Sequence, residues 1–283
     1  MEAPQEVMRP ILFGEVLFDV FPDGRAVLGG APFNVAWHLK GLGLDPLLIS
    51  RVGEDREGDE ILKAMDDFGM DISGIQRDPR HPTGCVKVSV DDGGRPAFAI
   101  PPAQAFDFID PGDFPALPSR GLLYHGTLAV RSPSSERALR ALRGRRYPVL
   151  VDVNLRAPWW EKTKVEGMLD GAQWVKANGE EMEALGYSPE AMMARFGLAL
   201  LAVTHGEEGA VLVTPEGSCQ GKAIPTRLVD TVGAGDAFSA MLILGLLEGW
   251  VPREMLDRAL AFSSRVCALR GAVGDKGFYS GSS

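Results

Sequence analysis

The chain has 283 residues, enough for one large domain with a sizeable buried core, and its 45% hydrophobic and 24% charged residues exclude long disorder as the main state. A net charge of −9 is the wrong sign for gripping nucleic acid or anionic lipid, although one local nest of backbone N–H groups can bind a phosphorylated small molecule within an acidic protein. Cys85, Cys219 and Cys267 share no metal or redox spacing and cannot build a disulfide framework, so a reducing, cytoplasmic setting is expected. Glu2, Pro4, Glu6 and Pro10 do not read as a leader, and the longest apolar run, 237–247, is shorter than the roughly 18 residues a membrane span needs.

In chain order, an apolar strand over 11–17 leads to a helix over 32–40 that has Pro32 near its first position and stops at Gly41. A strand at 47–52 and a helix at 57–68 closed by Gly69 follow. The segment 83–100 breaks the rhythm and reads as an antiparallel hairpin with its turn at 91–94. Strands at 122–127, 149–153, 174–177, 198–204 and 210–213 then alternate with helices at 134–143 and 180–185, and helices at 237–247 and 252–269 close the chain. The implied fold class is α/β, a doubly wound, mostly parallel sheet covered by helices, with a small β appendage.

The chemistry concentrates at Asp230-Thr231-Val232-Gly233-Ala234-Gly235-Asp236, where a glycine turn enters a buried helix. Gly233 and Gly235 permit close approach, so the N–H groups of 233–236 can converge on a phosphate at the positive helix end. Asp236 is placed to accept a proton from an attacking hydroxyl. The helix end is expected to keep its pKa low, which favours orienting that hydroxyl over deprotonating it. The plainer alternative makes Asp236 a helix cap. A P-loop is excluded because Gly221-Lys222 is followed by Ala223, and a dinucleotide fingerprint fails at Phe238.

Asp19 ends an apolar run, and Gly29-Gly30-Ala31-Pro32-Phe33-Asn34 enters a helix through paired glycines; together these residues suit the hydroxyls of a sugar. Asp152, Asn154 and Arg156, then Lys176, Asn178 and Glu181, then Thr204, Gly206 and Gly209 all fall where candidate strands finish. Open parallel sheets bind ligands beyond those ends, so the groups are expected to converge on one site.

These residues resemble the ribokinase-like carbohydrate kinases, the PfkB family, over nearly the whole chain. Gly29-Gly30-x-x-x-Asn34 is similar to the family's N-terminal signature, and residues 230–238 to its D-T-x-G-A-G-D-x-F signature. The resemblance implies a single kinase domain over 1–283 with a β lid formed by about 18–30 and 83–106, which in relatives often supports homodimers. It makes Asp236 the catalytic base and Gly233, Ala234 and Gly235 the anion hole, with ATP and Mg²⁺ as co-substrate and cofactor. Asn178-x-x-Glu181 matches the motif tied to magnesium, here through water, and Thr204, Gly206 and Gly209 match the nucleotide-binding stretch. Asp230 and Val232 correspond to positions that hold a monovalent cation such as K⁺. The segment 261–276 departs from the pattern that lines adenine in relatives, so no adenine contacts are assigned.

For the acceptor, Asp152-Val153-Asn154-Leu155-Arg156 resembles the D-x-N-x-R of fructokinases and 2-keto-3-deoxygluconate kinases, and 100–109 resembles the lid exit of bacterial fructokinases. Asp19, Gly29, Gly30, Asn34, Phe106 and Arg156 are the candidate sugar contacts, with Phe33, Phe106 and Trp159 as aromatic walls. D-fructose is the first expectation; ribose, 2-keto-3-deoxygluconate, a nucleoside, and a binding protein without turnover stay open.

Overall fold

The computed structural model describes residues 8–90 and 96–280. The first part of the chain forms β1 (Arg9–Phe13), β2 (Leu17–Val20), β3 (Ala26–Gly29), α1 (Ala31–Gly41), β4 (Leu47–Gly53) and α2 (Arg56–Phe68). Next come β5 (Ile75–Asp78), β6 (Gly84–Val90), β7 (Pro96–Ala99), β8 (Gly121–His125), α3 (Pro133–Arg143), β9 (Val149–Asp152) and α4 (Lys162–Leu169). The remainder comprises β10 (Trp174–Asn178), α5 (Gly179–Leu185), α6 (Pro189–Phe196), β11 (Leu200–Thr204), β12 (Ala210–Thr214), β13 (Gly217–Gly221), α7 (Ala234–Glu248), α8 (Pro252–Val266) and α9 (Lys276–Tyr279).

The main sheet runs β13-β12-β11-β10-β9-β8-β1-β4-β5 and is parallel from β11 to β5, with β12 and β13 added antiparallel at one edge. Successive side chains point to opposite faces, so Leu12 packs with α1, α2, α7 and α8 while Ile11 and Phe13 pack with α3 to α6. The expected α/β, doubly wound class is the fold observed. Helix α7 is buried all along 237–243, which explains why this run is apolar all round. No helix among the described residues is long and apolar enough to cross a membrane.

Differences from the sequence reading have local causes. The single strand expected over 11–17 is two elements, because Gly14 takes φ +147° and leaves room where a β-carbon would come within 2.6 Å of Pro32 Cγ. Beyond it, β2 leaves the main sheet for a second one, ordered β3-β2-β6-β7. The expected hairpin is β6 paired antiparallel with β7, while its turn at 91–94 lies outside the described residues. The edge strands β5 and β13 escape the apolar-run criterion, since Gln76-Arg77-Asp78 and Ser218-Cys219-Gln220 carry no such run. Helix α7 starts at Ala234 rather than 237, and α8 ends at Val266, short of 269.

The base of the small sheet is fastened to the main one by side chains. Asp55 caps α2 through Gly58 N at 2.8 Å and accepts from both Thr83 N and Thr83 Oγ1, while that hydroxyl accepts from Gly53 N at 2.9 Å. Gln104 bridges in the manner of a strand, accepting from Cys85 N at 2.5 Å and donating to Cys85 O at 3.0 Å. Thr83→Val would leave the Gly53 N–H without an acceptor, and the expected loss is about 1–3 kcal/mol. A urea midpoint lowered at unchanged slope checks it; an unmoved midpoint contradicts it.

Candidate active site

A cleft of about 980 Å³ lies beyond the carboxyl ends of the parallel strands, lined by both sheets and by the first turn of α7. At one pole, Gly30 precedes α1 with φ +108°, and a β-carbon there would sit 2.6 Å from Glu15 O, so only glycine lets α1 begin against β1's exit. Asn34 in the first turn of α1 donates from Nδ2 to Asp236 Oδ2 at 2.7 Å, joining residues 202 positions apart. Asp236 occupies the first turn of α7, after Gly233 at φ +83°, and no side chain caps that helix. The helix-cap alternative for Asp236 is therefore replaced by a carboxylate held at the floor of the cleft. A β-carbon on Gly233 would come within 2.5 Å of Ala272 Cα, so the turn is clamped beneath the C-terminal segment.

Three carboxyl groups face this pole, and burial weakens the acidity of each. Burial pushes Glu15 up to about 7, against hydrogen bonds from its own N–H and that of Ala31 and against the charge of Arg156. Asp19 rises to about 6 by burial, again opposed by Arg156. Asp236 also rises to about 6 by burial, opposed by the Asn34 amide and reinforced by the charge of Asp152. The low pKa expected from the helix end is thus corrected: desolvation outweighs it. Glu15 Oε2 and Asn34 Oδ1 are buried acceptors with no hydrogen-bond partner among the described residues.

Along the opposite wall of the cleft, Asn178 and Glu181 form a reciprocal cap on α5: Asn178 Oδ1 accepts from Glu181 N, and Glu181 Oε2 accepts from Asn178 N, each at 2.8 Å. Glu181 Oε1 accepts from Leu155 N at 3.0 Å, so both oxygens already serve backbone donors. Lys176 reaches the cleft from the middle of β10, ion-paired with the buried Asp152 at 3.0 Å.

Of the sequence-derived candidates, Asp19, Gly30, Asn34, Arg156, Asn178, Glu181, Thr204, Gly206, Val232, Gly233, Gly235 and Asp236 line the cleft. Phe106 does not: it is fully buried in the core, against Arg131 and the β-carbon position of Gly84, and is corrected to a packing residue. Phe33 is likewise core, and Trp159 stacks on Arg131 outside the lining. Gly29, Gly209, Ala234 and Asp230 are also outside the lining. Gly29 pairs with Leu17 in the small sheet, and Gly209, at φ +105°, makes the turn into β12. Asp230 Oδ1 accepts from Val232 N at 3.0 Å and Oδ2 from Gly271 N at 3.2 Å, which ties the glycine turn to the C-terminal segment. Sequence reasoning gave Glu15 no role; its one signal was a carboxylate directly after a strand-ending glycine.

Residues 20–276 match the description of the pfkB family carbohydrate kinases. The chain belongs to the PfkB family. A fructokinase of Klebsiella pneumoniae is 30% identical over 274 residues, covering 88% of this chain and 89% of that protein. A sugar kinase of Pyrococcus horikoshii solved in complex with ATP superposes with TM-score 0.82 at 26% identity, covering 94% of this chain and 95% of the other. A fructokinase double mutant from Vibrio cholerae, solved with fructose, ADP and potassium ion bound, gives TM-score 0.84 at 25% identity over 98% of this chain and 99% of the other.

In this carbohydrate kinase, a β-carbon on Gly235 would stand 3.1 Å from Lys176 Nζ, so a side chain there displaces the ammonium. Gly235→Ala is expected to lower turnover by about tenfold, because the ammonium must give by a few tenths of an ångström, short of the misplacement of about 1 Å that costs about 10²-fold. Initial rates beside an unchanged melting temperature check it; a rate near that of the parent contradicts it.

Proposed function

We propose that the protein transfers the γ-phosphoryl group of ATP to a primary hydroxyl of D-fructose, giving fructose 6-phosphate. The observation that carries this reading is the 2.7 Å bond from Asn34 to Asp236, which puts one carboxylate in reach of both the hydroxyl-binding pole and the glycine turn at the start of α7. Asp19, Glu15, Asn34 and the backbone at Gly30 hold the sugar hydroxyls, and the N–H groups of 233–236 bind the transferred group at the positive end of α7. Asp236 takes the proton of the attacking hydroxyl; its pKa of about 6 suits a base working near neutrality better than an unshifted aspartate would. Asn178, Thr204 and Gly206 line the part of the cleft assigned to ATP.

The described residues contain no group of three or more His, Cys, Asp or Glu that could hold a metal ion. That donor set fits magnesium carried mainly by phosphate oxygens and water, with Glu181, its oxygens already bonded, acting through a water shell. Magnesium supplies charge neutralisation on the phosphates when bound. Asp230 and Val232 remain the residues proposed for a potassium ion. The small sheet is proposed as the lid that excludes water over the sugar.

Fructose is favoured by the likeness to fructokinases over most of the chain. A second acceptor, a sugar acid such as 2-keto-3-deoxygluconate, is favoured by Arg156, an exposed guanidinium in the cleft lining that suits a carboxylate. ADP release with Mg·ATP across fructose, 2-keto-3-deoxygluconate, ribose, tagatose and adenosine, with and without potassium, separates them: fructose is expected to win, and a faster sugar acid replaces it. Asp236→Asn is expected to keep ATP binding and to lose about 10²–10⁴-fold in turnover; near-parent turnover refutes the base assignment. Because the folded-state pKa of Asp236 is raised, its basic form is lost as pH falls, so kcat/KM should be flat above about pH 7 and decline through about 6. Initial rates from pH 5 to 8 read this, and an acid limb that survives in Asp236→Asn would assign it to another group.

A further inference from the structure

A buried polar cluster lies next to the glycine turn. Asp152 at the end of β9 is 1% exposed, and its Oδ2 accepts from Tyr124 OH at 3.0 Å and from Ser239 Oγ at 2.8 Å. Tyr124 and Ser239 are themselves fully buried, one on β8 and one on α7. Both hydrogen bonds that the Lys176 ammonium makes among the described residues go to this carboxylate, at 3.0 and 3.3 Å. An ammonium carries three N–H donors. Lys176 lines the cleft, and its Nζ stands 3.1 Å from where a β-carbon of Gly235 would be. A lysine buried this far is costly without paired charge. Burial works to lower its pKa, but the Asp152, Glu181 and Asp236 carboxylates outweigh burial and raise it, so it stays cationic.

We infer that Lys176 contacts the phosphoryl group in flight and that Asp152, itself fixed by Tyr124 and Ser239, is the positioning residue that aims it across Gly235. This rests on the phosphotransfer reading above. In the transfer, the acceptor oxygen bonds to the γ-phosphorus while the bond from that phosphorus to the β–γ bridging oxygen breaks. The acceptor's proton passes to Asp236, and the electron pair stays with ADP. The ammonium bears on the negative charge of the group being moved, from a site where the protein has already met the cost of holding it.

The test is a mutant cycle read as ADP release, using the sugar that wins the acceptor panel or, if none does, water as acceptor. Lys176→Met is expected to lower kcat by about 10²–10³-fold, the range for removing one preorganised donor, with the sugar KM within about threefold. Tyr124→Phe, which removes only the hydroxyl on Asp152, is expected to lower kcat by about three- to tenfold in the parent and to have no effect in Lys176→Met, the non-additivity of groups acting as a unit. Lys176→Met within about threefold of the parent kcat overturns the phosphoryl contact. An undiminished Tyr124→Phe effect in the Lys176→Met background overturns the positioning route. Should Lys176→Met fail to fold because Asp152 is left unpaired, Asp152→Asn with Lys176→Met removes both charges and carries the same expectation. A wrong acceptor leaves the cycle readable, and full activity in Asp236→Asn refutes the base without touching Lys176.

Discussion

For Asn34 to donate to Asp236, the first turns of α1 and α7 must meet at one point, and much of the architecture follows from that demand. Helix N-termini are bulky, with side chains and unpaired N–H groups crowding the same few ångströms. The chain meets the demand by deleting β-carbons where the approach is closest: at Gly14 against Pro32, at Gly30 against the Glu15 carbonyl, and at Gly233 against Ala272. Two positive helix ends then face one cleft, and anionic groups are drawn there before any particular side chain is counted.

The same convergence explains the electrostatics. Glu15, Asp19 and Asp236 crowd a pole that burial has dried, and desolvation holds each above its ordinary range. Opposing cations enter from two directions, Arg156 from the loop after β9 and Lys176 from the middle of β10. The cleft is therefore a balance of weakly acidic carboxyls and two cations.

Much of this was legible in the sequence because glycine and short polar motifs carry backbone meaning. Gly233-Ala234-Gly235-Asp236 announced a turn into a helix, and alternating apolar runs announced the parallel sheet, since strands buried on both faces are apolar throughout. Edge strands were illegible for other reasons: β5 buries Gln76 and Asp78 by bonding them to Asp110 and Arg51, and β13 is mostly exposed, so neither carries an apolar run. Phe106 shows a second limit, because its neighbours along the chain suggested the cleft while its neighbours in space put it in the core. Glu15 shows a third: it was absorbed into a strand that Gly14 in fact ends, and only the fold revealed its carboxyl as buried with one oxygen, Oε2, unpaired among the described residues. Asn178 and Glu181 combine two meanings, since a motif read as ligand-binding is also the cap that starts α5.

The tie from Asp230 and Gly233 to Gly271 and Ala272 makes the shape of the glycine turn depend on a segment 41 residues further along the chain. Loosening residues 271 and 272 would let the turn shift and carry Asp236 away from Asn34 while the parallel sheet stays intact, so the cleft can lose its floor without the fold coming apart.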